Sequence, residues 1–179
     1  MKEVQSLRRS PSCGFEAELP GLIEALGRPD FSQRLFQVAR KFTDCHTVTS
    51  FAFGGSRSPR LLFAENVGDV PVSRRIAKKY IADYWRFDPV NLMATDAVHG
   101  AACRTMMIGA DDIAHASYRE HCYAAVKLDN RMTILRATEG NVIRVNIYRG
   151  RGNSAFDRGI EAIAAAMEEF RTYWWDGRG

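Results

Sequence analysis

Apolar residues three and four positions apart mark the first long element of the chain. Phe31, Leu35, Val38, Ala39 and Phe42 share one face behind Asp30, which predicts an amphipathic helix with Asp30 as its N-cap. A short helix around Leu19 to Leu26 precedes it. At Thr47 the period changes from 3.6 to two, and β-branched and aromatic residues alternate to Phe53. The segment Gly54-Gly55-Ser56-Arg57-Ser58-Pro59 breaks that strand and Leu61 to Ala64 resumes one, so a hairpin with a loop longer than two residues is expected. Ser73 is placed to cap the next helix, along which Ile76, Tyr80 and Tyr84 stack in one row with Ala77, Ile81 and Trp85 beside them. This helix should stop at Asp88-Pro89, because a proline disfavours the α conformation at the residue before it. Val90 to Ala97 reads as a further short helix, Gly100 to Ile108 as a third strand, and Asp111-Asp112 as the start of a helical segment running to Ala125. Arg131 to Ala137 and Val142 to Tyr148 then form a second hairpin around Glu139-Gly140-Asn141.

In the last strand Ile143, Val145 and Ile147 point one way, and Val142, Arg144, Asn146 and Tyr148 the other. If the sheet is covered on one side, the second set faces water; if on both, Arg144 and Asn146 line a cavity. The closing helix, after Asn153-Ser154, carries Phe156, Ile160, Ile163, Met167, Phe170 and Trp174 at alternating steps of four and three. That seam suits pairing with a second helix in a homodimer, or docking on the domain's own sheet, which Ala162, Ala164, Ala165 and Ala166 would also permit. Five strands with hairpins at both ends, and helices before, between and after them, predict an α+β fold. The expected architecture is an α-β-α sandwich around a five-stranded antiparallel sheet, GAF/PAS-like in layout. Residues 1–29 are expected as a loose arm and short helix, and 30–179 as one sensor domain.

Composition narrows the function classes. No apolar run approaches the roughly 20 residues needed to span a bilayer, and no apolar stretch follows Arg8-Arg9, so neither a membrane anchor nor a signal peptide is expected. The four cysteines, Cys13, Cys45, Cys103 and Cys122, lack CxxC spacing and fit reduced thiols in the cytoplasm. The net charge of +4 is dispersed, and Arg74, Arg75, Lys78 and Lys79 recur at helical spacing as a solvated face. No strict phosphate loop occurs; Gly150, Gly152 and Ala155 have the looser GxGxxA spacing, but no second parallel strand follows, so a turn is expected there. The five residues between His115 and His121 put the two histidines on different sides of a helix, so no metal is expected. No cofactor is implied and no catalytic constellation emerges, so the chain is not expected to be an enzyme.

One stretch concentrates the remaining signal. The run Tyr80-x-x-x-Tyr84-Trp85-x-x-Asp88-Pro89-Val90 lies after the first hairpin and before the third strand. Read by itself, Asp88 is either a polar anchor at the end of an aromatic wall or the N-cap of the helix that begins at Pro89. The run, with the element order and the Tyr148-Arg149 and Phe156-Asp157 approach to the last helix, resembles the N-terminal ligand-binding domain of LuxR-type transcriptional regulators, the acyl-homoserine-lactone receptors. The resemblance implies a quorum-sensing domain that binds a small, partly apolar signal molecule, an acyl-homoserine lactone or a relative, between sheet and helix. Asp88 would accept a hydrogen bond from the ligand amide, and Tyr80, Tyr84, Trp85, Phe53 and Phe63 would supply walls. Counting back from Asp88, the positions that usually hold a Trp and a Tyr in that family fall on Arg75 and Lys79. The family's helix-turn-helix domain is not present in the sequence, so no direct nucleic-acid contact is expected of this chain. The alternative is a ligand-independent dimerisation or anti-activator module that pairs with a full-length regulator.

Overall fold

The computed structural model describes residues 2–3, 17–54, 58–91, 103–138, 141–150, 152 and 156. Two helices come first, α1 (Leu19–Glu24) and α2 (Phe31–Thr43), followed by the hairpin β2 (Thr47–Gly54) and β3 (Arg60–Asn66). Helix α3 (Val72–Lys79) continues into a π turn at Tyr80–Tyr84 and a 3-10 turn at Trp85–Phe87. Strand β4 (Cys103–Gly109), helix α4 (Ala116–Cys122) and the long hairpin β5 (Leu128–Thr138) and β6 (Asn141–Gly150) complete the described chain. The expected arm contributes a two-residue strand β1 (Lys2–Glu3), which pairs with Met106 and Met107 at the edge of the sheet. The expected short helix over 92–97, and all of the closing helix except Phe156, lie outside the described residues.

The sheet order is β1-β4-β5-β6-β2-β3, antiparallel throughout. The five strands read from the sequence are its body. Strands β6 and β2 join the two hairpins edge to edge, with Ser50 opposite Val145 and Thr49 opposite Asn146. Helices cover both faces, and the alternation along each strand divides the interior in two. Under α1 and α2, Val48, Phe63, Met132, Ile134, Val145 and Ile147 meet Leu22, Phe31, Leu35 and Phe36 in a buried apolar core. Under α3, its π turn and α4, the opposite face presents Phe51, Leu135, Val142 and Tyr148 to Ala77, Tyr80, Tyr84 and Tyr118.

Two expected caps are replaced by other contacts. Asp30 precedes α2 as predicted, but its carboxylate accepts from Arg34 Nε at 2.7 Å rather than from the helix backbone. Pro71, not Ser73, precedes α3, and the Ser73 N–H is taken by the Asn66 side chain at 3.0 Å. At the other junction Asp112 accepts from Gly109 N–H at 2.8 Å and closes a 3-10 turn, while His115 Nδ1 caps α4 by accepting from Tyr118 N–H.

Candidate functional site

The aromatic helix ends as the sequence requires. Asp88 is extended (ψ 119°) ahead of Pro89, and its Oδ1 accepts the Val90 N–H at 3.1 Å, so it caps the turn that follows. The same carboxylate is completely buried and faces the sheet. Arg131 of β5 grips it with both terminal nitrogens, Nη2 to Oδ1 at 2.8 Å and Nη1 to Oδ2 at 2.9 Å. Arg144 of β6 adds Nη1 to Oδ2 at 3.1 Å, and the hydroxyls of Tyr80 and Tyr118 donate to Oδ2 at 3.0 and 3.1 Å. Both arginines are fully buried. Six donors therefore converge on one carboxylate.

Register explains how two arginines from different strands reach one point. Arg131 lies opposite Tyr148 and Arg144 opposite Leu135, so both belong to the face that α3 and α4 cover. Beside them Thr133 donates to Asn146 Oδ1 at 2.9 Å, and Asn146 Nδ2 to Thr49 Oγ1 at 3.1 Å, a buried polar ladder across three strands. Arg144 Nη2 also donates to Tyr80 OH at 2.6 Å and Nη1 to Asn91 Oδ1 at 2.8 Å. Its guanidinium sits 4.8 Å from the Phe53 ring, 5.2 Å from Tyr80 and 5.4 Å from Phe51, where the ring faces stabilise part of its charge.

Burial by itself would raise the Asp88 pKa, but the Arg131 and Arg144 guanidinia outweigh it and hold the carboxyl well below the usual carboxylate range. The carboxylate is ionised at any ordinary pH. Burial pushes the Tyr80 and Tyr118 phenols far up, so both remain protonated donors. Two guanidinium charges against one carboxylate leave the group with an excess of one positive charge in the protein interior.

A cavity of about 40 Å³ adjoins the group, between β2, α3 and α4, with Thr49, Phe51, Ser73, Ile76, Tyr80 and Tyr118 among its walls. Tyr80 and Tyr118 belong to both structures: they line the cavity and hydrogen-bond Asp88. Ser73 Oγ is buried without a hydrogen-bond partner.

The expected site residues separate accordingly. Asp88 and Tyr80 meet at the charged group, and Phe53 flanks it as a half-buried ring against Arg144. Tyr84 is buried against Tyr118, stacked at 5.6 Å, with its hydroxyl 3.1 Å from His121 Nδ1. Trp85 is half-buried, with Arg86 over its ring at 4.6 Å. Phe63 lies on the opposite face of the sheet, in the apolar core under α2. Of the expected dimer seam, Phe156 is buried with Arg149 over its ring at 4.6 Å, and Ile160, Ile163, Met167, Phe170 and Trp174 lie outside the described residues.

Arg75 and Lys79, the positions counted back from Asp88, lie on the solvated face that their spacing predicted. Arg75 is exposed and Lys79 is paired with Asp83 at 3.0 Å, whereas Ile76 and Tyr80, one residue later, line the cavity. A π turn at Tyr80–Tyr84 interrupts the expected α-helix ahead of Asp88. The histidines also differ from expectation. His115 precedes α4, and both His115 and His121 pack against the Tyr84 ring at 5.9 Å. Sequence reasoning missed Arg131 and Tyr118. The available signal for Arg131 was a charge on the inward register of a strand inside a doubly covered sheet.

Among solved structures, the chain is similar to the LBD domain of VqsR from Pseudomonas aeruginosa, at 20% identity and TM-score 0.55 over 90% of this chain and 92% of that one. It is also similar to CepR2 from Burkholderia cenocepacia, an N-acylhomoserine lactone dependent LuxR-family transcription factor, at 13% identity and TM-score 0.61 over 89% of this chain and 95% of that one. No family model and no curated protein matches the sequence. The chain has the fold of LuxR-type ligand-binding domains, as the Tyr80 to Val90 run implied. Among the described residues no helix is long and apolar enough to cross a membrane.

Proposed function

We propose that this chain is the sensing domain of a LuxR-type regulator, taking a small, partly apolar signal molecule between the sheet and α3. The observation that carries the reading is the pair Tyr80 and Tyr118, which line a cavity and are hydrogen-bonded to a buried charged group behind it. Apolar walls with a few placed polar groups are the usual composition of small-molecule sites. Phe53 and Tyr84 support the walls of that site in this reading, and Asp88 acts on the ligand through the tyrosines it holds. Dimerisation through Ile160, Ile163, Met167, Phe170 and Trp174 belongs to the same proposal, Phe156 being buried in the domain's own core, and a monomer in sedimentation at high micromolar concentration would remove it.

The test is native mass spectrometry of protein made in its own host, followed by a thermal-shift screen of acylated and aromatic metabolites. A ligand at a hundredfold over its Kd should stabilise the fold by about 2.7 kcal/mol. A second reading, a ligand-independent module that pairs with a full-length regulator, is favoured by the saturation of Asp88 and by a cavity of about 40 Å³. Small-molecule pockets are ordinarily about 300–1,000 Å³, so a ligand must widen this one. A flat screen from a protein that still self-associates would favour that second reading.

A further inference from the structure

The inside of this site offers donors and positive charge, and little that accepts. Asp88, the one acid in the buried group, already receives six hydrogen bonds. A carboxylate has about four lone-pair sites, so no acceptor capacity is left on it for a ligand N–H. The donor side is in surplus. Arg131 Nε and Arg144 Nε are buried without hydrogen-bond partners, and so is the Ser73 hydroxyl in the cavity wall.

Asp88 can also spare some of what it receives. If the Tyr118 hydroxyl turned toward the cavity, and the Tyr80 hydroxyl with it on release of the Asn91 Nδ2 donor that it accepts at 3.1 Å, Asp88 would keep both Arg131 nitrogens, Arg144 Nη1 and the Val90 N–H. The two released hydroxyls would then be two donors for one acceptor group. The excess positive charge lies directly behind them, since Arg144 Nη2 is 2.6 Å from Tyr80 OH and Arg131 Nη1 is 3.1 Å from Tyr118 OH. In a low-dielectric interior that charge favours an anion strongly over a neutral dipole.

Resting on the sensing reading above, we propose that the ligand is an anion, a small carboxylate with an apolar body whose head is received by Tyr80 and Tyr118 in front of Arg144 and Arg131. An uncharged amide-linked lactone would bring an N–H to a site with no free acceptor at Asp88 and would leave the excess charge unmatched.

Isothermal titration of the whole chain near pH 7 with three probes of one chain length tests this: hexanoate, its methyl ester, and N-hexanoyl-homoserine lactone. The carboxylate should bind at least about tenfold more tightly than either neutral probe. Equal or tighter binding of the ester or the lactone overturns the anion assignment while leaving the sensing reading intact. No binding by any of the three, or by longer-chain sets of the same three heads, removes both. Arg144→Met should reduce the preference for the acid to about twofold or less, and a retained tenfold preference in the folded variant counts against Arg144 as its source.

Discussion

The same two strands build two unlike interiors. Along β5, Arg131 and Thr133 face α3 and α4 while Met132 and Ile134 face α2; along β6, Arg144 and Asn146 alternate with Val145 and Ile147 in the same way. The α2 side is mainly an apolar core, its buried polar strand residues among those described being Ser50 and Arg149, whose Nε donates to Thr43 O at 2.6 Å. On the α3 side Arg131, Arg144, Asp88, Asn146, Thr133 and Thr49 are buried and are tolerated there through the hydrogen bonds they make with one another. Apolar residues of similar volume would stabilise that side at least as well. What the difference teaches is where to look for function: polar groups placed at a position where stability alone does not call for them.

The largest expected effect breaks the polar side by removing its anion. Asp88→Ala strands two buried guanidinia and should destabilise the fold by about 3–5 kcal/mol in urea denaturation. The next result runs the other way. Replacing the whole group, Asp88→Leu with Arg131→Met and Arg144→Met, should be neutral or stabilising by about 1–4 kcal/mol, while abolishing any carboxylate response. A large loss of stability in that triple variant would mean that the charged group is structural.

Two single changes on one strand compare the faces directly. Thr133→Val leaves Asn146 Oδ1 without its donor and should cost about 1–3 kcal/mol. Ile134→Val, the next residue on the opposite face, should cost about 0.5–1.5 kcal/mol. If the order is reversed, the polar ladder is worth less than the packing it replaces.

Acid should act on the α3 side selectively. The Asp88 pKa is depressed in the folded protein, so its contribution is complete above the ordinary value of 3.8 and is lost as pH falls below that toward the folded value. In that window the unfolded chain binds the extra proton and stability falls with falling pH. Urea midpoints measured between about pH 2.5 and 6 should therefore drop more steeply for the wild type than for the triple apolar variant. The smallest effect concerns reactivity. Burial pushes the Cys45 thiol up to about 11 and Cys122 up to about 12, so neither should react with a mild alkylator near pH 8 until the protein unfolds. Rapid labelling of either thiol in the folded state would mark it as an accessible, nucleophilic cysteine.

Much of this was legible in the chain because it depends on local pattern. Phe31 to Phe42 can bury its apolar residues only as a helix, and the change to a period of two at Thr47 permits only a strand. Asp88 before Pro89 has to leave the helix, and with the aromatics before it that step identified the LuxR-type fold. The alternation of Arg144 with Val145 posed the question of one covered face or two. Its answer lay in the packing of helices from elsewhere in the chain.

The partners of Asp88 were beyond the sequence for a definite reason. Arg131 and Arg144 are 43 and 56 residues away, and only the register of β5 against β6 and the docking of α3 on that face put them within 3.1 Å of one carboxylate. That α3 turns Ile76 and Tyr80 inward was legible in their spacing; that they meet a cavity between β2, α3 and α4 was not. Sequence by itself determined the elements, which follow from periodicity and backbone sterics, and its resemblance to LuxR-type domains pointed to the fold and to Asp88. Tertiary structure alone decided that this aspartate is already held by two arginines, because a buried charge takes its character from whichever partners packing brings to it.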